Sequence, residues 1–213
     1  MNSSRNDALL SVLRIAPVIP VLTIDRLDQA VPLAQALVAG GLRVLEITLR
    51  TDVALEAMEA ISRHVPDAVV GAGTVLTASQ VNEAASAGAA FLVSPGATTR
   101  LAEAAAAGPV PLLPGVATAG EAMAMAEMGH HVMKFFPAEP AGGVAYLKAL
   151  GAPLPHLAFC PTGGIDAAKA RSYLALPNVV CVGGSWVTPA DALRSGDWGT
   201  ITRLSRDACN LRV

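Results

Sequence analysis

Lys134 and Glu46 are the two charged side chains whose placement in the chain points to chemistry. Lys134 lies in HVMKFFPA, an apolar run that reads as a strand buried on both faces. An ammonium there is costly unless it is paired or loses its proton. The chain has three lysines. Lys148 in YLKAL and Lys169 in DAAKARSYL sit in helical patterns from which they can reach water. An amine held among apolar groups gives up its proton readily, and the free amine is a nucleophile toward carbonyl carbon. On this strand alone a structural lysine, snorkelling or salt-bridged at a strand end, is an equal alternative. Glu46 tips the balance. It is the only one of the 17 acidic residues inside an expected strand. In VLEITLR, Val44, Glu46, Thr48 and Arg50 share one face, while Leu45, Ile47 and Leu49 share the other. Two costly charges on two apolar strands make sense as one site. A purely structural ion pair would be a weak stabiliser and would not account for their placement.

The elements that must position these groups alternate short β-branched runs with Ala/Leu-rich helical stretches. Eight strands are expected, over residues 18–23, 44–50, 69–75, 91–95, 111–116, 131–137, 157–163 and 179–186. Their starts are 20 to 26 residues apart, room for a strand, a helix and two short loops. Helices are expected over 27–39, stopped by Gly40-Gly41, over 77–87 with Thr77 as N-cap, over 98–107 and over 119–128. Asp166 caps another. Extra helices are expected over 6–15, before the first strand, and over 197–210. The pattern predicts one domain over residues 1–213, an α/β (β/α)8 TIM barrel with an extra N-terminal helix. The alternative is an open doubly wound sheet, which would usually carry G-x-G-x-x-G after its first strand; VIPVLTID does not.

In such a barrel the active site forms at the C-terminal ends of the strands, where alternate residues point inward. Glu46, Arg50 and Lys134 then face the interior. Thr74, in GAGT, has the position to line the same mouth, though its hydroxyl could equally serve backbone. Pro95 and Phe136 could wall the site from water or simply pack. The seventh strand ends in Thr162-Gly163-Gly164 and the eighth in Gly183-Gly184-Ser185. Glycines there let backbone N–H groups approach an anion, and the loops after these two strands are the usual phosphate site of the barrel. Tight turns alone are the alternative.

Hydrophobic residues make up 53% of the chain and charged residues 15%, so part of the apolar excess is expected to be buried between subunits. No apolar run is long enough to span a bilayer. The stretch from Leu9 to Leu22 is interrupted by Arg14, Pro17 and Pro20 and does not read as a secretory signal. A net charge of −2 offers no basic field for nucleic acid. Cys160, Cys181 and Cys209 suit a reducing cytosol better than a disulfide framework. His64, His130, His131 and His156 show no metal-binding spacing, and no C-x-x-C occurs.

The segments PVIPVL, ALVAGGLRVLEITLRT, VGAGTVL, SPG, PLLPGVAT, KFFPAE, FCPTGGI and VGGSW resemble the bacterial family of 2-keto-3-deoxy-6-phosphogluconate (KDPG) and 4-hydroxy-2-oxoglutarate (KHG) aldolases. The resemblance implies a class I aldolase on a (β/α)8 barrel. It also implies a homotrimer, cytoplasmic, without cofactor or metal, acting in Entner–Doudoroff breakdown of sugar acids. By position it makes Lys134 the Schiff-base lysine and Glu46 the general acid/base. Arg50 and Thr74 would hold the pyruvoyl carboxylate, and Pro95, Phe136 and Thr162 would line the pocket. Gly163, Gly164, Gly184 and Ser185 would meet the phosphate. The substrate expected is a phosphorylated keto acid, with the galactonate epimer of KDPG as an alternative. A phosphosugar isomerase or epimerase using Glu46 as base, and a non-catalytic phosphate-binding barrel, are the remaining alternatives.

Overall fold

The computed structural model describes residues 2–211. In chain order the elements are α1 (Asn2–Leu13), β1 (Val18–Leu22), a 3-10 turn (Leu27–Gln29), α2 (Ala30–Ala39), β2 (Val44–Thr48), α3 (Ala54–His64), β3 (Val69–Gly73), α4 (Ala78–Ser86) and β4 (Phe91–Val93). They continue as α5 (Thr99–Ala107), β5 (Leu112–Leu113), β6 (Gly115–Val116), α6 (Ala119–Glu127), β7 (Val132–Phe135), α7 (Gly143–Leu150), β8 (Ala158–Pro161), α8 (Ala167–Leu174), β9 (Val182–Gly184), α9 (Ala190–Ser195) and α10 (Trp198–Cys209).

Every ladder is parallel. One sheet has the order β5-β4-β3-β2-β1-β9 and a second has β6-β7-β8. Isolated parallel bridges Phe159↔Val179 and Thr162↔Gly183 connect the region of β8 to that of β9. The expected strand over 111–116 is split into β5 and β6 at Pro114. Proline has no N–H to give to a ladder; its carbonyl is still used, accepting from Lys134 N at 2.9 Å.

Side-chain caps set five of the helix starts among the described residues. Thr77 and Thr118 each form a full capping box, with Gln80 and Glu121 respectively, while Thr98, Asp166 and Asp197 accept from backbone N–H groups three residues on. Helix α3 has neither a capping side chain at Val53 nor a glycine at Val65. Its amphipathic face, with Ala57, Met58 and Ile61 buried, holds it to the sheet instead.

Two apolar layers result. The larger lies between strands and helices and takes Leu45 and Ile47 from β2. The smaller takes Val44 from the same strand, with Ile19, Phe91, Val93, Leu113, Val132, Cys160 and Cys181. Alternation along β2 therefore places Val44 in the inner layer and Glu46 two residues further toward the C-terminal end. Along β7 the same step runs from Val132 to Lys134. Leu9 and Leu13 of α1 complete the inner layer, and each full burial contributes about 1.5–3 kcal/mol. Polar contacts hold α1 in place. Arg5 donates to the carbonyls of Ala105 and Gly108, and Asn6 joins the carbonyl of Gly129 and the N–H of His131. Residues 129–131, which open the strand carrying Lys134, thus belong to this far end. Cys160, Cys181 and Cys209 form no disulfide among the described residues. Among the described residues no helix is long and apolar enough to cross a membrane.

Candidate active site

Lys134 and Glu46 meet. Lys134 Nζ donates to Glu46 Oε1 at 3.0 Å, with their side chains 7% and 5% exposed. Strand β7 brings one and β2 the other, as the inward alternation predicts. The Lys134 ammonium also stands 5.3 Å from the centre of the Phe136 ring, within range of a cation–π contact. Gly73 explains why GAGT is small at this level. A Cβ there would lie 2.5 Å from Glu46 Oε1 and 2.7 Å from its Cγ. Gly71, two residues earlier, gives way to the Phe91 ring, which a Cβ would meet at 2.2 Å.

A cleft of about 320 Å³ opens over the C-terminal ends of β1, β2, β7, β8 and β9. It gathers most of the expected residues: Arg50, Phe136, Thr162, Gly163, Gly164, Gly184 and Ser185. Lys134 and Glu46 adjoin it through Phe136. Thr74 and Pro95 do not line it. Pro95 is half-buried after β4, with its carbonyl so close to Gly115 that a Cβ on Gly115 would overlap it. Thr74 follows Gly73 at the end of β3 with φ of +60°, a left-handed conformation costly for a β-branched residue. Such strain amounts to about 1–3 kcal/mol and gathers at functional positions.

Arg50 lies beyond the end of β2, in the turn, and is held by two residues that sequence spacing did not single out. Its guanidinium donates to Thr23 Oγ1 at 2.9 Å. Thr23 and Thr48 hydroxyls are 3.2 Å apart, and Thr48 donates to the carbonyl of Leu22 at 2.9 Å. With the Thr48 proton committed, the chain runs one way, from Arg50 to Thr23 to Thr48. Thr162 Oγ1 is buried and has no hydrogen-bond partner among the described residues, so a ligand in the cleft can take it. A Cβ on Gly183 would stand 2.3 Å from that oxygen.

Gly163 and Gly164 have φ of +106° and +77°, the region glycine tolerates. Ser185 is exposed, and its carbonyl accepts from the Thr188 N–H and hydroxyl at 3.1 and 3.2 Å. Lys169 reaches back from α8 to the same loops, its Nζ 3.0 Å from the carbonyl of Gly164. Among the described residues no three His, Cys, Asp or Glu stand close enough to hold a metal ion.

A buried amine beside a carboxylate, at the C-terminal ends of parallel strands and next to a glycine-lined cleft, has the parts of a lysine-dependent site for carbonyl chemistry. The model of the KDPG and KHG aldolase family matches residues 9–204, and the chain belongs to that family. It is 52% identical over 198 residues to the KHG/KDPG aldolase of Escherichia coli K12, covering 93% of each chain. The KDPG aldolase of Legionella pneumophila, solved with pyruvate captured as a covalent carbinolamine, superposes with a TM-score of 0.92 at 47% identity, over 94% of this chain and 98% of that one. The Zymomonas mobilis KDPG aldolase solved with 3-phosphoglycerate gives 0.92 at 48% identity, over 98% and 97%.

Proposed function

We infer that the protein is a class I aldolase that cleaves KDPG to pyruvate and glyceraldehyde 3-phosphate, and KHG to pyruvate and glyoxylate. The observation that carries this is the buried 3.0 Å contact between Lys134 and Glu46 beside the cleft. The Lys134 amine attacks the C2 ketone to give a carbinolamine, and loss of water gives an iminium. Glu46 accepts the amine proton and returns protons as the hydroxyl leaves. Glu46, again a carboxylate, takes the C4 hydroxyl proton as the C3–C4 bond breaks. The electron pair passes to the iminium nitrogen, and the aldehyde departs. Glu46 protonates C3 of the remaining enamine, and hydrolysis frees pyruvate and the lysine. Arg50, steadied by Thr23, and Thr74 hold the pyruvoyl carboxylate. Phe136 and Thr162 line the cleft, and Pro95 walls the site from the end of β4. Gly163, Gly164, Gly184 and Ser185 receive the phosphate. No resident metal or cofactor takes part.

The architecture fits a single domain whose two sheets close into one (β/α)8 barrel. The one-residue junction at Pro114 and the bridges to β9 support that closure. Three cysteines outside any disulfide fit a cytoplasmic protein, and the apolar composition fits a homotrimer.

Borohydride added with pyruvate tests the mechanism. It is expected to inactivate irreversibly and to leave one reduced pyruvoyl adduct on Lys134. Label on Lys148 or Lys169, or none, rules out the Schiff base. Ser185→Ala tests the phosphate end. Loss of a hydrogen bond to a charged group is worth about 1.5–3 kcal/mol, so KM for KDPG is expected to rise about tenfold or more. KHG carries no phosphate, and its cleavage should barely change. Equal losses on both substrates would remove Ser185 from the phosphate site.

A further inference from the structure

Glu139 lies just past KFFP and contributes nothing to the chemistry above, yet it is the hub of a small network. Its Oε1 accepts from the Tyr173 hydroxyl at 2.6 Å, and its Oε2 pairs with Lys169 Nζ at 2.9 Å. Tyr173 is fully buried, which fixes one side of the hub. The hydroxyl and the ammonium hold the Glu139 carboxyl below its ordinary range. Lys169 Nζ also donates to the Gly164 carbonyl at 3.0 Å. Two backbone bonds run in parallel with it: Ala138 N to the Thr162 carbonyl at 2.8 Å, and Glu139 N to the Gly163 carbonyl at 3.1 Å. Three successive carbonyls of the loop after β8 are therefore tied to the segment after β7 or to its glutamate.

The consequence is set by peptide geometry. In a trans peptide the C=O and the following N–H point opposite ways. Holding the carbonyls of Gly163 and Gly164 toward Glu139 turns the N–H groups of Gly164 and Ile165 away from it, and these residues line the cleft. The left-handed glycines alone do not hold this arrangement, because glycine visits either sign of φ with similar ease. Close packing adds a steric stop, since a Cβ on Gly164 would stand 2.9 Å from Glu139 Cβ.

We propose that Glu139, acting through Lys169 and braced by Tyr173, is a positioning residue that presets the backbone N–H groups of the Gly163–Gly164–Ile165 loop for the substrate phosphate. This rests on the assignment of the phosphate to the loops after β8 and β9. Glu139 touches no substrate atom, and Lys169 serves as a tether rather than as the phosphate's counter-ion.

Glu139→Gln, Lys169→Met and the double variant, assayed on KDPG and KHG beside Ser185→Ala, test the assignment. Lys169 is 46% exposed on its side chain, so its variant is expected to fold even if a change at Glu139 does not. Each single variant is expected to raise KM for KDPG about fivefold with little change in kcat. KHG kinetics and the rate of borohydride trapping with pyruvate should stay near wild type. The double variant should be no worse than the worse single, because the two groups form one tether. Equal losses on both substrates, additive losses, or no loss with Ser185→Ala still discriminating would overturn the tether while leaving the phosphate site standing. Tighter KDPG binding by Glu139→Gln would overturn it too, by showing that the released Lys169 binds phosphate directly. If Ser185→Ala itself fails to discriminate, the phosphate assignment falls and the tether falls with it.

Discussion

Glu46→Gln is expected to lower kcat for cleavage by about 10²–10⁴-fold, the usual span of general acid–base help. The amide matches the carboxylate in shape, so the tight contact with Gly73 is kept, and its oxygen can still accept from Lys134. What it cannot do is carry protons. Exchange of pyruvate methyl protons with solvent should therefore slow in parallel with cleavage, while Lys134 stays the site of borohydride labelling. The substitution also removes the counter-charge of a buried ammonium. A buried charge left without its partner costs about 3–5 kcal/mol, so the variant should also be less stable. Thermal melts of the variant should show this loss. Methyl exchange at the wild-type rate would mean that another group is the acid/base.

The contact between Lys134 and Glu46 was legible because an alternating strand has only two faces. A charge among apolar residues on each of two strands leaves one place for both. Glycine stops and threonine caps marked the helices they bound, which is why α4, α5 and α6 fall within a residue or so of expectation, and α8 starts just after its expected cap Asp166. Helix α3 carries neither signal, and nothing local marks its ends. The split at Pro114 was visible as a residue but not as a break, because the surrounding PLLPGV is otherwise a good strand. The hydrogen-bond chain from Arg50 through Thr23 to Thr48, and the tether of Glu139, Lys169 and Tyr173, join side chains 25 or more residues apart. Such pairings follow from register and loop shape, which residue types do not encode locally. Lys169 shows the limit well. Its helical setting correctly implied access to water, but not that its ammonium turns back onto Gly164.

Gly73→Ala is expected to disable the enzyme without removing any catalytic group. The new methyl would sit 2.5 Å from Glu46 Oε1, 2.7 Å from Cγ and 2.9 Å from Cδ, closer than real Cβ contacts come. Something must move. The β3 backbone is locked on both sides, paired to β2 through Thr48↔Gly73 and to β4 through Ala72↔Leu92. The Gly73 carbonyl also accepts from Leu49 N at 2.8 Å. Glu46 is the softer partner, held mainly by Lys134, and it will swing away. Overpacking of this kind costs about 1–3 kcal/mol of stability. The larger effect is on rate, since moving a proton-transfer group by about 1 Å costs on the order of 10²-fold. A second change separates crowding from chemistry. Glu46→Asp on the Gly73→Ala background shortens the side chain, and the melting temperature should recover. Activity should not recover, because the shorter carboxylate falls short of Lys134. Recovery of both would show that the Glu46–Lys134 distance is not critical, and unchanged activity in Gly73→Ala alone would show that Glu46 need not stand where it does.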